Sequence, residues 1–207
     1  MSDTAIWFDL DGTLLALGDY GVILERACES VGIEGEQRTT FVETYQDRFF
    51  DLLQDLAEEP YTHAAEDGID AAEADADPEN FVDALLESEC ARTRVPETVE
   101  ETLADLGERH ELGVLTNGVA EWQRAKLDHH GLTERVDAVV VSEEAGAHKP
   151  DAAPFELAAE RLPASERWMV GDDREADVSG ARAVGWNGVH VAEPERLPTV
   201  VERIDGE

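Results

Sequence analysis

Residues 4–13 read TAIWFDLDGT, an apolar run that stops at a pair of aspartates. Residues 4–8 are mostly β-branched or aromatic, which predicts a strand buried on both faces, as in a parallel sheet. Asp9 then ends the strand, and Asp11 lies on the turn that follows it. We therefore expect the chain to begin with a strand of a parallel sheet whose carboxyl end carries two carboxylates.

Helical and strand-like segments alternate in the second half of the chain. After Pro96 we predict helices at about 97–110, 119–130, 152–161 and 176–184, and strands at about 112–115, 137–141, 167–170 and 188–191. Such alternation produces a parallel sheet with helices on both faces and right-handed crossovers. The predicted fold class is α/β, with a doubly wound, Rossmann-like parallel sheet as its core. Residues 194–207 are polar and predict a surface helix or a loose tail.

A helical region separates the first strand from the rest of the sheet. Apolar residues recur at helical spacing in three segments, at about 19–31, 41–56 and 81–90. Residues 55–79 carry ten acidic and no basic residues, so we expect a solvated, partly irregular connection there. The sequence thus predicts two domains: an α/β catalytic core of residues 1–14 and 95–207, and an inserted all-helical cap of residues 15–94.

Acidic residues dominate the charge, with 49 Asp and Glu against 16 Lys and Arg and a formal net charge of −33. Because a basic surface is needed to displace counterions from a polyanion, we expect no nucleic acid partner. A disordered acidic chain and an acidic mimic of nucleic acid are the alternatives to a salt-adapted globular protein. The 42% of hydrophobic residues, arranged in strand-like and helix-like segments, argue against disorder.

Arginine supplies nearly all of the positive charge, because only Lys126 and Lys149 among the 16 basic residues are lysines. Together with the acid excess, this bias resembles proteins of halophilic archaea, which work in concentrated salt. At molar salt the screening length is about 3 Å, so carboxylates repel one another little while still binding water. We therefore expect the fold to depend on high salt.

Apolar runs such as residues 138–141 are far too short to span a bilayer, and the amino terminus lacks the pattern of a signal peptide. We expect a cytoplasmic protein with no membrane partner. Cys28 and Cys90 are too few for a disulfide framework and have no metal-binding spacing, which predicts reduced, packed thiols.

Polar segments follow four of the hydrophobic runs. They are Asp9-Leu10-Asp11-Gly12-Thr13, Thr116-Asn117-Gly118, Lys149-Pro150, and Gly171-Asp172-Asp173 with Asp177. In a doubly wound sheet, ligands bind at the carboxyl ends of the strands, near the switch in strand order. We therefore expect these segments to converge on one crevice, although each alone could be an ordinary turn or helix cap.

The first segment has the groups that phosphoryl transfer to an aspartate requires. Asp9 can attack the phosphorus of a monoester and form an aspartyl-phosphate. Asp11 can protonate the departing oxygen and later take a proton from the attacking water. Gly12 allows a tight turn there, and Thr13 can brace that turn with its hydroxyl.

The other segments supply charge and hydrogen-bond donors. Asp172 and Asp173, together with Asp9, can hold a cation between nucleophile and phosphate, and an all-oxygen site favours Mg²⁺. A hydroxyl, an amide and N–H groups before a helix make Thr116 and Asn117 an anion site. Lys149 can neutralise the nucleophile and the transferring phosphoryl group. Asp177 is more suited to orienting Lys149 or the waters of the metal than to binding the metal directly.

As a set, the segments resemble the haloacid dehalogenase superfamily, in the phosphoglycolate phosphatase-like subgroup with a helical cap between the first and second motifs. The resemblance covers residues 6–12 and 95–191, whereas the cap agrees only in position and helicity. It implies that Asp9 is the nucleophile and also binds metal, and that Asp11 is the acid/base and binds metal through its backbone carbonyl. Asp172 would be a further metal ligand, and Asp173 is a candidate for another. The phosphoryl group would be bound by Thr116, Asn117 and Lys149.

The predicted function is a Mg²⁺-dependent phosphatase that acts on a small phosphorylated metabolite through an aspartyl-phosphate. A phosphomutase of the same superfamily is one alternative. A 2-haloacid dehalogenase is another alternative. The metal-independent dehalogenases that resemble this chain lack the second aspartate of the first segment, which is Asp11 here. A non-catalytic acidic protein that binds Mg²⁺ or phosphate is the alternative outside enzymes.

Overall fold

The computed structural model describes residues 4–202 and residue 204. This part of the chain divides into two compact units: a helical unit, Leu17–Thr93, and a core unit made of the remaining residues. The seven other residues of the predicted core, 1–3, 203 and 205–207, lie outside the described part.

A backbone pairing marks the border between the two units. The Ala16 N–H donates to the carbonyl oxygen of Arg94 at 2.9 Å, and the Arg94 N–H donates back at 3.2 Å. This pair closes the core unit where the chain leaves it and returns to it. The border therefore lies one or two residues from the predicted one, because the sequence carries no signal for this isolated bridge.

The helical unit consists of four helices: α1 (Tyr20–Ser30), α2 (Gly35–Gln54), α3 (Pro60–Ala72) and α4 (Pro78–Arg92). Asp19 caps α1 by accepting a hydrogen bond from the Gly21 N–H at 2.9 Å. The core of this unit is aromatic, with the rings of Phe41 and Phe81 packed edge to face at 4.6 Å.

Helix α3 shows that the prediction of an irregular acidic connection at residues 55–79 is wrong over most of its length. The helix buries one face made largely of small residues: Ala64, Ala65, Gly68, Ile69 and Ala72. A Cβ on Gly68 would lie 2.9 Å from the Phe41 ring, so this face packs closely against α2. The many acids between these small residues hid a helical pattern that alanine and glycine carry only weakly.

The core unit contains a five-stranded parallel sheet in the order β3-β2-β1-β4-β5. Its strands are β1 (Thr4–Phe8), β2 (Glu111–Thr116), β3 (Ala138–Val141), β4 (Glu166–Gly171) and β5 (Asn187–His190). Phe8 at the end of β1 lies beside Val114 of β2 and Val170 of β4. The predicted α/β fold is confirmed, and the strand order switches at β1.

Helices cover both faces of this sheet. They are α5 (Glu97–Gly107), α6 (Ala120–His129), α7 (Ser142–Ala145), α8 (Ala152–Arg161), α9 (Gly180–Ala183) and α10 (Leu197–Val201). Ile6 and Phe8 of β1 join the apolar cluster under α5, α6 and α10, while Ala5 and Trp7 join the cluster under α8 and α9. Strand β1 is therefore buried on both faces, as its composition predicts.

The end of the described chain packs onto the core. Leu197, Val201 and Ile204 are buried in the cluster that also contains α5, so of the two predicted alternatives the structure has a helix, α10, and not a loose tail. The overall polarity of this segment concealed an apolar stripe one helical turn apart. Within the described residues, no helix combines the length and apolar character needed to cross a bilayer.

Candidate active site

A cavity of about 230 Å³ lies at the carboxyl end of β1 in the core unit. The residues that line it are Asp9, Asp11, Thr116, Asn117, Lys149, Asp172, Asp173, Ala176 and Asp177. Thr13, the other predicted residue, is fully buried and donates its hydroxyl to Asp172 Oδ1 at 3.2 Å. The structure thus brings together residues of all the polar segments, which span more than 160 positions of sequence.

Lys149 is the centre of a buried charge network. Its ammonium group donates to Asp9 Oδ1 at 2.8 Å, to Asp177 Oδ1 at 2.6 Å and to the Leu115 carbonyl oxygen at 2.8 Å. These bonds use all three N–H groups of the lysine. Direct contact with a phosphoryl group therefore requires that one of them be exchanged.

Burial changes the ionisation of both partners in this network. It raises the pKa of Asp9 to about 7, and the charge of Lys149 opposes that rise. Burial alone would lower the pKa of Lys149, but the carboxylates of Asp9 and Asp177 raise it above its usual value. Lys149 therefore stays charged, whereas Asp9 needs positive charge nearby to remain an anion.

Asp177 lies on a π-helical turn, Arg174–Ser179, directly after the end of β4. Besides accepting from Lys149, it accepts from the Asp173 N–H through Oδ2 at 3.0 Å. The Asp173 side chain caps the same turn, with its Oδ1 accepting from the N–H groups of Glu175 and Ala176 at 2.7 and 2.9 Å. Asp173 therefore acts as a helix cap, and metal binding by this residue stays a prediction.

The Asp172 carboxylate is held close to the first segment. A Cβ on Gly12, whose φ is +84°, would lie 2.6 Å from Asp172 Oδ2, so this approach needs a glycine. Burial raises the pKa of Asp172, and the charge of Asp177 adds to the effect. Oxygens of Asp9, Asp172 and Asp177 lie within 4.8 Å of one another. Such a set of carboxylate oxygens fits a hard divalent cation, which would also favour their ionised forms.

The Asn117 side chain binds the backbone of Lys149. Its Nδ2 donates to the Lys149 carbonyl oxygen at 3.1 Å, and its Oδ1 accepts from the Lys149 N–H at 2.8 Å. The amide thereby fixes the loop that carries the lysine, next to the cis peptide bond of Lys149 and Pro150. A phosphate contact by Asn117 stays a prediction.

Two residues of α6 belong to this site that the sequence analysis did not assign to it. Lys126 Nζ donates to Asp11 Oδ2 at 2.5 Å, and Gln123 Nε2 donates to the same oxygen at 3.1 Å. Gln123 also donates to Thr116 Oγ1 at 3.1 Å. Both side chains are almost fully buried. A signal was present, because Lys126 is one of two lysines in a chain that otherwise uses arginine.

Comparison with known proteins shows the family of the chain. A family model described as haloacid dehalogenase-like hydrolase matches residues 4–185. Ribulose-1,5-bisphosphate 5-phosphatase of Halopiger xanaduensis is 36% identical over 205 residues, which cover 88% of this chain and 82% of that protein. Glyceraldehyde 3-phosphate phosphatase of Methanothermobacter thermautotrophicus is 29% identical over 203 residues, which cover 90% and 84% of the two chains.

Solved structures show the same fold. The HAD-hydrolase YfnB of Bacillus subtilis, in a crystal structure bound to magnesium, superposes with a TM-score of 0.70 at 17% identity, covering 99% of this chain and 100% of that one. The Halopiger relative is consistent with the halophilic archaeal character predicted from the composition. The family match and the phosphatase relatives show that the chain belongs to the haloacid dehalogenase-like hydrolase family and is a phosphatase of that family.

Proposed function

We propose that the chain hydrolyses small phosphate monoesters through an aspartyl-phosphate formed on Asp9, with Mg²⁺ as its cofactor. One observation carries the proposal: a buried aspartate at the end of β1 is bound by a buried lysine at 2.8 Å. Asp11 follows two residues later and also lines the cavity. Nucleophile, acid/base and charge compensation therefore meet at one strand end.

The mechanism assigns each oxygen of Asp9 a separate task. Lys149 holds Oδ1, which leaves Oδ2 to attack the phosphorus. As the bond between Oδ2 and phosphorus forms, the bond from phosphorus to the leaving oxygen breaks, and Asp11 gives that oxygen a proton. A water then attacks the phosphorus, Asp11 takes a proton from that water, and the bond between the phosphorus and Asp9 Oδ2 breaks. Phosphate and free enzyme result.

Charge balance supports the cofactor. Among the described residues that line the cavity, five are aspartates and Lys149 is the one with a positive charge. Asp9, Asp172 and the backbone carbonyl of Asp11 would hold the ion, and Asp177 would keep Lys149 in place. When bound, Mg²⁺ neutralises carboxylate and phosphate oxygens so that two anions can meet.

We propose further that the helical unit, Leu17–Thr93, is the cap of this family and carries the residues that select the substrate. The core cavity is lined by groups suited to a phosphoryl group and a cation, which leaves the rest of a substrate to be recognised elsewhere. The relatives described above are named for ribulose 1,5-bisphosphate and glyceraldehyde 3-phosphate. Small phosphorylated metabolites of this kind are the proposed substrate class.

A panel of phosphate esters, assayed in concentrated KCl with and without Mg²⁺, tests the proposed function. We expect phosphate release from several small esters, and a loss of at least about 10²-fold when Mg²⁺ is chelated, because the ion supplies several kcal/mol of charge stabilisation. Dependence on a bisphosphate activator with no net phosphate release would indicate a phosphomutase. Chloride release from 2-chloropropionate without metal would indicate a dehalogenase, and no turnover of any ester would indicate a binding protein.

Gly171→Ala is expected to lower kcat by about 10²-fold, the usual cost of a displacement of about 1 Å near the chemistry. A Cβ at this position would lie 2.0 Å from Asp177 Oδ2, so the Asp177 side chain must shift, which disturbs its bond to Lys149. The matched control is Gly107→Ala, whose Cβ would make an ordinary contact of 3.6 Å with Leu112. Steady-state kinetics of both variants check this, and full activity of Gly171→Ala would contradict the role given to Asp177.

A further inference from the structure

Each of the two lysines of the chain binds one aspartate of the first segment. Lys149 pairs with Asp9 and is part of the proposed mechanism, whereas Lys126 pairs with Asp11 and has no task in it so far. The Lys126 side chain is only 2% exposed. Burying an ammonium group is costly unless it is paired, so the position of its partner Asp11 at the cavity requires an explanation.

The two oxygens of Asp11 have different surroundings. Oδ2 accepts from Lys126 Nζ at 2.5 Å and from Gln123 Nε2 at 3.1 Å. Oδ1 is buried and has no hydrogen-bond partner among the described residues. Two donors on one oxygen thus fix the orientation of the Asp11 carboxylate.

Gln123 links Asp11 to the phosphate-binding segment. Its Nε2 also lies 2.8 Å from the Asn117 carbonyl oxygen and 3.1 Å from Thr116 Oγ1, so its two N–H groups are shared among three acceptors. Gln123 and Lys126 are three residues apart on α6, so they project from the same face of the helix. Helix α6 therefore holds Asp11 and the end of β2 in a fixed relation to each other.

We propose that Gln123 and Lys126 are positioning residues for the acid/base: they hold Asp11 by Oδ2 and so fix the orientation of the carboxyl group that exchanges the proton. This inference rests on the proposed function. In the first step the O–H bond of the Asp11 carboxyl group breaks as the leaving oxygen gains the proton. In the second step the carboxylate takes a proton from the attacking water, so no net proton is gained or lost. Proton transfer needs a donor within hydrogen-bond reach and direction, and an unrestrained side chain on a turn would satisfy that only part of the time.

A double-mutant cycle with Asp11 tests the inference. Lys126→Met keeps the length of the side chain but removes its charge, and it is combined with Asp11→Asn. Activity is measured on p-nitrophenyl phosphate, because its leaving group needs little help from an acid and the Asp11→Asn enzyme stays measurable. Glycerol phosphate is an alkyl ester whose leaving group needs a proton from the acid, so it is assayed only with the proteins that keep Asp11. Gln123→Met is taken through the same cycle, so the test does not depend on the folding of a single variant.

If Lys126 acts through Asp11, Lys126→Met lowers kcat on glycerol phosphate at least about tenfold with KM within about twofold, and the loss on p-nitrophenyl phosphate is smaller. In the Asp11→Asn background, Lys126→Met causes less than about twofold further loss. Lys126→Arg, which restores a cation, recovers part of the lost kcat.

The inference would be overturned if Lys126→Met lowered kcat equally with and without the Asp11 carboxylate, or if it raised KM at unchanged kcat. Lys126 would then be a structural residue. A wild-type enzyme that releases no phosphate from any ester would instead overturn the proposed function. The two failures are therefore distinguishable in the same set of assays.

Discussion

Asp9→Asn is expected to abolish phosphate release, with a loss of about 10⁴-fold or more, as is usual when a nucleophile is removed. The amide cannot form the aspartyl-phosphate, and it also removes one anion from the group of oxygens within 4.8 Å that would hold Mg²⁺. Among the described carboxylates, Lys149 Nζ binds Asp9 and Asp177, and Asp177 is also bound by the Asp173 N–H, so Asp177 is poorly placed to replace Asp9. Phosphate release on the best ester of the panel measures the loss.

The stability of the Asp9→Asn protein separates this loss from unfolding. Burial raises the pKa of Asp9 to about 7, so the site does not favour the ionised form strongly and a neutral side chain of the same shape costs little. Lys149 keeps Asp177 and the Leu115 carbonyl oxygen as partners. We expect a thermal midpoint close to that of the wild type. Asp75→Asn, the same change at an exposed position, is the matched control and should keep full activity.

A hydroxylamine-sensitive phosphoryl adduct, trapped by acid quench during turnover, is the second measurement. The wild-type enzyme should form it and Asp9→Asn should not, because hydroxylamine cleaves the acyl phosphate of an aspartate. Substantial phosphate release by Asp9→Asn, or an adduct that survives this substitution, would show that Asp9 is not the nucleophile.

The sequence predicted most of the sheet and the convergence of the polar segments for a definite physical reason. Parallel strands buried on both faces are continuous apolar runs, and β1 and β3 are short runs of that kind that end at polar residues or turns. Once the strands are placed, the carboxyl-end rule brings their following residues to one edge. Asp9, Lys149 and Asp172 could therefore be grouped without coordinates.

Other features depend on packing that no short pattern encodes. Helix α3 buries alanine and glycine, which are weak markers of a helical face. The bond from Gln123 and Lys126 to Asp11 depends on where α6 docks beside β1, more than 110 residues away in sequence. The Asn117 side chain could equally have pointed into the cavity, and only the position of the Lys149 loop shows its actual partners.

The thermal midpoint is expected to rise by about 10–20 °C between dilute buffer and multimolar KCl. A rise of that size corresponds to about 5 kcal/mol, at about 2–4 °C per kcal/mol for a chain of this length. The cause is the formal net charge of −33, which destabilises the compact state through self-repulsion. The screening length falls from about 10 Å at 0.1 M to about 3 Å at 1 M, so salt removes most of that repulsion. Scanning calorimetry across KCl concentrations measures it.

Salting-out of apolar groups also raises the midpoint, and the anion distinguishes it from screening. Screening depends on ionic strength and is nearly complete by about 1 M, whereas salting-out continues to grow and is stronger for sulfate than for chloride. We expect most of the rise below about 1 M ionic strength, with KCl and K₂SO₄ giving similar curves in that range. A rise found only at higher concentration, and only in sulfate, would assign the effect to salting-out.

Variants that change the charge of the helical unit in either direction test the same explanation. Glu66→Gln, Asp70→Asn and Asp75→Asn together remove three exposed negative charges, and they should raise the midpoint in dilute buffer while leaving it nearly unchanged in concentrated KCl. Arg26→Gln removes an exposed positive charge and should lower the dilute-buffer midpoint instead. Both shifts should vanish as salt screens the surface. A wild-type midpoint that does not change with KCl would contradict the salt requirement, because a chain this acidic would then be stable by its packing alone.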